Sequence, residues 1–173
     1  MNKLIPLLAL IAAPAAAQEA HVYFASSAWP VETAGRVCAM SHAANDGSDA
    51  LTIAYDAASG EVSLTAETES AAPSLPASGT VQFAIVFLQN GRTAYDDQWG
   101  SRTFTYSREG TTARFTTRFA GEPNVRQIFA DLGASHDVGF LQDRQAVMST
   151  NLELADASLR KLQECARRAI AAN

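Results

Sequence analysis

The segment from Gln145 to Ala171 constrains the fold most, because the spacing of its apolar residues changes once along its length. Up to Leu154, apolar and small residues alternate with polar ones, which is the pattern of a strand with one buried face. After Asp156 the apolar residues follow helical spacing instead: Leu159, Leu162, Cys165, Ala169 and Ile170. A strand therefore leads into a C-terminal helix, predicted near 156–171, whose apolar side carries Cys165.

The first residues, Met1–Ala17, have the composition of a secretory signal peptide. Lys3 precedes an apolar run from Leu4 to Ala13, and the segment ends in consecutive alanines that provide an A-x-A cleavage site. The apolar run is too short to span a bilayer. We expect cleavage after Ala17, so that residues 18–173 form a single β-rich domain located in the periplasm or outside the cell.

The charge balance of that domain disfavours one class of partner. Of the 13 lysine and arginine residues, Lys3 lies in the signal segment, so 12 remain against 18 acidic residues. A nucleic-acid partner normally requires a basic patch or stripe. We therefore expect no nucleic-acid binding. No second apolar segment is long enough to predict a membrane span.

The chain has two cysteines, Cys38 and Cys165, and in an exported protein the simplest expectation is one disulfide between them. The bond would pin the C-terminal helix to an early strand. In the chain-entropy model, closing a loop of this length contributes roughly 4–5 kcal/mol to stability.

Most of the remaining chain reads as short strands joined by hairpin turns. Leu51–Asp56 and Glu61–Glu67 alternate about a turn at Gly60, and Arg102–Arg108 and Thr111–Phe119 do so about Gly110. Thr80–Gln89 is the most apolar run after the signal segment and predicts a central strand. The pattern predicts a mainly β fold, either an antiparallel β-sandwich or a half-open barrel. It includes a short helix near 125–132 and the C-terminal helix as a cap.

Few residues carry a recognisable chemistry. The three histidines, His21, His42 and His136, share no metal-ligand spacing, and no serine lies in a G-x-S-x-G elbow. We therefore predict no catalytic residue, no metal site and no cofactor. The alternative is a small secreted enzyme: a hydrolase, or a copper-dependent oxidative enzyme. The latter requires the mature chain to begin at His21, so that its amino group and imidazole chelate the metal.

The segment Tyr95–Arg102 is the best candidate for a binding surface. It combines two large aromatic residues with acids and an arginine, a mixture that is enriched at recognition hot spots. We predict that Tyr95, Asp97, Trp99 and Arg102 contribute to binding. The competing interpretation is that Trp99 folds back over the end of the core.

Several of these features occur together in a known family. The exported start, Trp29 ahead of the strand Gly35–Met40 with its cysteine, the alternating strands and the C-terminal run Leu152-x-Leu154…Leu159-x-x-Leu162-x-x-Cys165 resemble invasion-associated locus B-type proteins. They also resemble related uncharacterised exported proteins of alphaproteobacteria. The resemblance implies a binding or stress role in the periplasm or at the cell surface, without established catalysis. The expected function is therefore that of an exported, non-catalytic binding or accessory protein of the bacterial envelope, with a protein or envelope component as its partner.

Overall fold

A computed structural model describes residues 19–44, 48–69, 75–89, 92–94 and 99–171. The predicted signal peptide, 1–17, lies outside the described residues, as do Tyr95 and Asp97 of the predicted binding segment.

The described chain contains eleven strands and two helices. The strands are β1 (His21–Phe24), β2 (Val31–Ala34), β3 (Val37–Ala43), β4 (Asp49–Asp56), β5 (Glu61–Thr68), β6 (Ser78–Gln89), β7 (Arg92–Ala94), β8 (Ser101–Glu109), β9 (Thr112–Phe119), β10 (Asp137–Gln142) and β11 (Gln145–Asn151). The helices are α1 (Glu122–Ala134) and α2 (Ala155–Ala171).

All the strands belong to one antiparallel sheet that curls without closing. Their order is β1-β2-β3-β4-β5-β9-β8-β6-β10-β11, with β7 paired to β6 outside this path. The terminal strand β11 nevertheless comes into contact with β4, far along the sheet. The mainly β prediction is confirmed, and of the two predicted architectures the single curled sheet corresponds to the half-open barrel.

The sheet has an apolar inner face and a polar outer face, because side chains alternate between the two sides of each strand. Along β5, for example, Val62, Leu64 and Ala66 are buried while the residues between them are only partly covered. The centre of the core is aromatic. Phe83 lies 5.2 Å from Phe104 and 5.1 Å from Phe115, measured between ring centroids.

Helix α2 covers the inner face at one side of the sheet and contacts β1, β2, β3 and β4. Its buried residues are Ala155, Ser158, Leu159, Leu162, Cys165 and Ala166. Cys165 forms the predicted disulfide with Cys38 on β3, across a Cα–Cα distance of 6.1 Å. The Ser158 hydroxyl donates to the carbonyl of Trp29, which is completely buried. A covalent bond and a buried hydrogen bond thus hold the last helix to the first part of the domain.

Helix α1 is longer than predicted and covers a different part of the core. Pro123 lies in its first turn, where a missing backbone N–H costs no helical hydrogen bond, so the helix begins ahead of the predicted 125–132. Ile128 and Leu132 are buried, and the helix contacts β6, β9 and α2.

Two local features differ from expectation. The strand β2 follows Pro30 directly and was not predicted, because four residues without clear alternation resemble a loop. The strand before α2 ends at Asn151 rather than at Leu154. Leu154 adopts a φ of 62° as the chain turns into the helix, and its side chain is therefore 75% exposed instead of buried.

Neither helix in the described ranges combines the length and the apolar character that crossing a bilayer demands.

Leu162 lies on the buried side of α2 and is fully buried, so replacing it with alanine should remove core contacts and leave a cavity. We expect Leu162→Ala to lower the free energy of unfolding by about 2–5 kcal/mol in urea titrations. Arg160→Ala, on the exposed side of the same helix, should cost less than about 1 kcal/mol. Equal losses for the two variants would show that α2 is not packed on the sheet.

The disulfide joins residues 127 positions apart in the sequence, so its loss should enlarge the unfolded ensemble. We expect the double variant Cys38→Ala/Cys165→Ala to be less stable by about 2–5 kcal/mol in the same titrations. Peptide mapping of the unreduced wild-type protein should recover the linked pair. Two freely alkylated thiols in the unreduced protein would contradict the bond.

Candidate functional site

The described part of the predicted binding segment forms a compact cluster at one end of the core. Trp99 is half-buried, and its ring meets that of the buried Phe119 edge-on at 4.8 Å between centroids. The indole Nε1–H donates to a carboxylate oxygen of Asp131 on α1, at 2.6 Å. The side-chain amide of Gln127 donates to the other oxygen at 2.8 Å. Trp99 therefore joins the start of β8 to α1 and covers the end of the core.

Arg102 lies over the same rings. Its guanidinium carbon is 4.4 Å from the centroid of Phe119 and 5.5 Å from that of Trp99. One terminal nitrogen, Nη2, donates to the carbonyl of Arg118 at 3.0 Å, while Nε is buried and has no hydrogen-bond partner within the described ranges. Burial lowers the pKa of Arg102, yet a guanidinium starts so far above neutrality that the group stays charged. The cluster holds a cation against two aromatic rings.

This geometry gives Trp99 a structural role of the kind that the competing interpretation expected. An indole that packs on Phe119 and donates to Asp131 stabilises the contact between the sheet and α1. The role of Trp99 and Arg102 in binding stays a prediction.

A second surface lies on the outer face of the sheet, where hydroxyl side chains from six adjacent strands occupy one cross-strand row. In each pairing the partners face each other directly: Ser41 with Thr52, Thr52 with Thr65, Thr65 with Thr116, Thr116 with Thr105, and Thr105 with Thr80. We call these residues the hydroxyl row. Because neighbouring strands lie about 4.8 Å apart, the row follows the sheet for about 24 Å.

Hydrogen bonds order the middle of the hydroxyl row. The Oγ1 atoms of Thr65 and Thr116 lie 3.0 Å apart, and the hydroxyl of Thr105 donates to the carbonyl of Thr116 at 3.3 Å. Ser41, Thr105 and Thr80 are exposed, and the other three members are partly exposed. The row is thus a solvent-facing set of donors and acceptors whose central rotamers are fixed.

Ion pairs flank the hydroxyl row on both of its long sides. On one side a guanidinium nitrogen of Arg114, on β9, lies 3.0 Å from a carboxylate oxygen of Glu67, on β5. On the other side the corresponding distance between Arg118 and Glu61 is 3.4 Å. Each arginine is therefore matched by a carboxylate of the neighbouring strand. Each of the two ion pairs is internally neutral, and the flanks carry two further carboxylates, those of Glu109 and Asp56.

Three cavities that the structure describes also lie on the outer face. One, of about 310 Å³, is lined by Glu67, Ser107, Glu109, Thr112 and Arg114. The second, about 180 Å³, is lined by Val37, Ala54, Asp56, Ser59, Glu61, Ser63 and Arg118. The third, about 200 Å³, is lined by Gln82, Ala84, Val86, Ser101, Leu141, Asp143 and Arg144. The first two lie on opposite sides of the hydroxyl row and flank it.

The sequence contained part of the signal for this surface. Threonines and serines at alternate positions of β5, β8 and β9 predict an outward hydroxyl on each strand. Their alignment in one row depends on the register between strands that are distant in sequence, such as β5 and β9. Pattern analysis of single strands does not provide that register.

The three histidines lie in separate surroundings. His21 is exposed on β1, and His136 precedes β10 and is also exposed. His42 stacks on Trp29 at 4.9 Å between ring centroids, and its Nδ1 hydrogen-bonds to the Ala28 carbonyl at 2.8 Å. Across the described ranges, no group of three or more His, Cys, Asp or Glu side chains is arranged to hold a metal ion.

Trp99 makes a hydrogen bond to Asp131 and packs on Phe119, and two substitutions separate the contributions of these contacts to stability. Trp99→Phe keeps an aromatic ring but removes the indole N–H that donates to Asp131. We expect this variant to lower the free energy of unfolding by about 1–3 kcal/mol. Trp99→Ala also removes the packing on Phe119 and should cost about 3–5 kcal/mol.

Val22→Ala is the control for this series, because Val22 is a large apolar residue that is 66% exposed. It should change the unfolding free energy by less than about 0.5 kcal/mol. If Trp99→Ala proved as mild as Val22→Ala in urea titrations, the indole would not cap the core.

No protein-family model matches the chain, and comparison with curated proteins and with solved structures gives no significant match. The resemblance to invasion-associated locus B-type proteins therefore stays a prediction.

Proposed function

We propose that this protein is an exported, non-catalytic binding or accessory module of the bacterial envelope. The signal-like segment Met1–Ala17 supports export. The Cys38–Cys165 disulfide is compatible with an oxidising compartment such as the periplasm, where such bonds form and persist.

The observation that carries the binding function is the contrast between the two faces of the sheet. The inner face is filled by the apolar core and covered by α1 and α2. The outer face is polar and carries the hydroxyl row, its flanking ion pairs and the three described cavities. A surface of this kind can contact a partner without any change in the core, so we assign binding to it.

The Tyr95–Arg102 segment is a second proposed contact. Arg102 supports this role because its charged guanidinium packs against two aromatic rings and its side chain is only partly buried. Arginine forks pair well with carboxylates and phosphates, so this contact would suit an acidic group on the partner.

Binding to the envelope can be tested by sedimentation of the purified mature protein with isolated bacterial envelopes. Thr105→Arg places bulk and an unpaired charge at an exposed position of the hydroxyl row, and we expect it to reduce the sedimented fraction severalfold. Arg102→Gln measures the contribution of the second contact.

The control is Ala157→Arg, which makes the same charge change on the exposed side of α2. It should sediment like the wild-type protein. If envelopes retained none of the proteins, or retained Thr105→Arg and wild type equally, the assignment of envelope binding to the outer face would be wrong.

A further inference from the structure

We propose that the hydroxyl row binds an uncharged glycan strand of the cell envelope. This inference rests on the binding function proposed above and assigns the chemical class of its ligand. The juxtaposition that carries it is a row of six hydroxyls, on six adjacent strands, between two internally neutralised ion pairs.

The hydroxyl row offers the hydrogen-bonding chemistry that a polyhydroxylated ligand requires. Each Ser or Thr hydroxyl has one donor and two acceptor lone pairs and rotates to suit its partner. The contact between Thr65 and Thr116 uses one proton, so acceptor capacity remains on both atoms. Sugar hydroxyls likewise donate and accept, and a row of side chains with both capacities can pair with them in either direction.

The charge distribution favours a neutral ligand. Arg114 and Arg118 are each paired with a glutamate, and the whole chain has a formal net charge of −5. A polyanion would meet no uncompensated basic stripe along the row and would be repelled by the molecule as a whole. The paired guanidinium and carboxylate groups retain hydrogen-bonding edges that a neutral polar ligand can use.

The composition of the surface distinguishes a glycan from a protein partner. The cores of protein interfaces are enriched in aromatic residues, methionine and arginine, and depleted in Ser, Ala and Glu. The two cavities that flank the row are lined mainly by the depleted kinds, such as Ser63, Ala54 and Glu67. Their two arginines are each paired with a glutamate. Of the large apolar side chains that are exposed, that of Val37 lines one of these cavities.

The length of the row indicates a polymer rather than a single sugar. A hydroxyl that exchanges water for a ligand hydroxyl gains little net affinity, so useful binding needs many such contacts at once. The row provides contacts over about 24 Å, at the spacing of about 4.8 Å set by the strands. The flanking cavities give substituents of the chain room on both sides.

The test uses the mature, disulfide-intact protein and two series of probes, oligomers of glucose and oligomers of N-acetylglucosamine, each as dimer, tetramer and hexamer. Calorimetric titration should show affinity rising with length in at least one series. The triple variant Thr65→Val/Thr105→Val/Thr116→Val should weaken hexamer binding by about tenfold or more, because three central hydroxyls are lost together.

The triple variant is expected to fold. Valine matches threonine in shape and favours strands, and removing both hydroxyls of the Thr65–Thr116 contact leaves no buried polar atom unpaired. Circular dichroism and melting verify this. Ser149→Ala removes an exposed hydroxyl on β11, outside the row, and should leave hexamer affinity unchanged.

Three outcomes would overturn the inference: no binding of either hexamer, equal hexamer affinity of the triple variant and the wild-type protein, or self-association that Thr105→Arg abolishes. Failure here is distinguishable from failure of the proposed function. A protein that sediments with envelopes but binds neither hexamer is an envelope-binding module whose ligand is not an uncharged glycan.

Discussion

The disulfide between Cys38 and Cys165 is the constraint on which the architecture depends. An open antiparallel sheet that curls without closing leaves its apolar interior accessible along one side, and here α2 covers that side. The helix is the last element of the chain and β3 is one of the first, so ordinary loop connectivity does not bring them together. The bond limits how far the two can separate in the unfolded chain, while Leu162 and Leu159 provide the burial that orients the helix.

The sequence predicts those parts of the fold that depend on local pattern. The hairpins β4–β5 and β8–β9 and the terminal helix all follow from alternation, glycine turns and helical spacing within short windows. The cysteine pair follows from the expected export together with the cysteine count, because two cysteines in an oxidising compartment have one possible partner each. β2 escapes this reasoning, since its four residues acquire a buried Val31 only through pairing with β3 and cover from elements elsewhere in the chain.

The candidate surfaces are less accessible to sequence analysis, for a physical reason that differs between them. The sequence identifies Trp99 as a candidate, but the environment of its side chain depends on Asp131, 32 residues away, and on Phe119. For the hydroxyl row each threonine is predictable as outward-facing, while the row exists only if five strand pairings have the right register. A slip of one residue in any of them would turn the following side chains to the opposite face. The row is therefore a property of the assembled sheet and not of any one strand.

The period of two along each strand also separates stability from recognition. On β9, Ala113, Phe115 and Phe119 are buried in the core, whereas Arg114, Thr116 and Arg118 alternate with them on the outer face. The first set contributes apolar burial, which dominates folding free energy, and the second contributes solvent-facing hydrogen bonds and surface ion pairs, which contribute little to it. Outer-face residues can consequently change with small cost to the fold, so threonines and serines aligned across six strands are not required by stability. β-propensity accounts for a threonine on any one strand, since other β-formers satisfy it equally well. Cross-strand hydrogen bonds between threonines, such as that of Thr65 with Thr116, stabilise single pairs modestly. The extension of the row over six strands is the feature that we attribute to recognition.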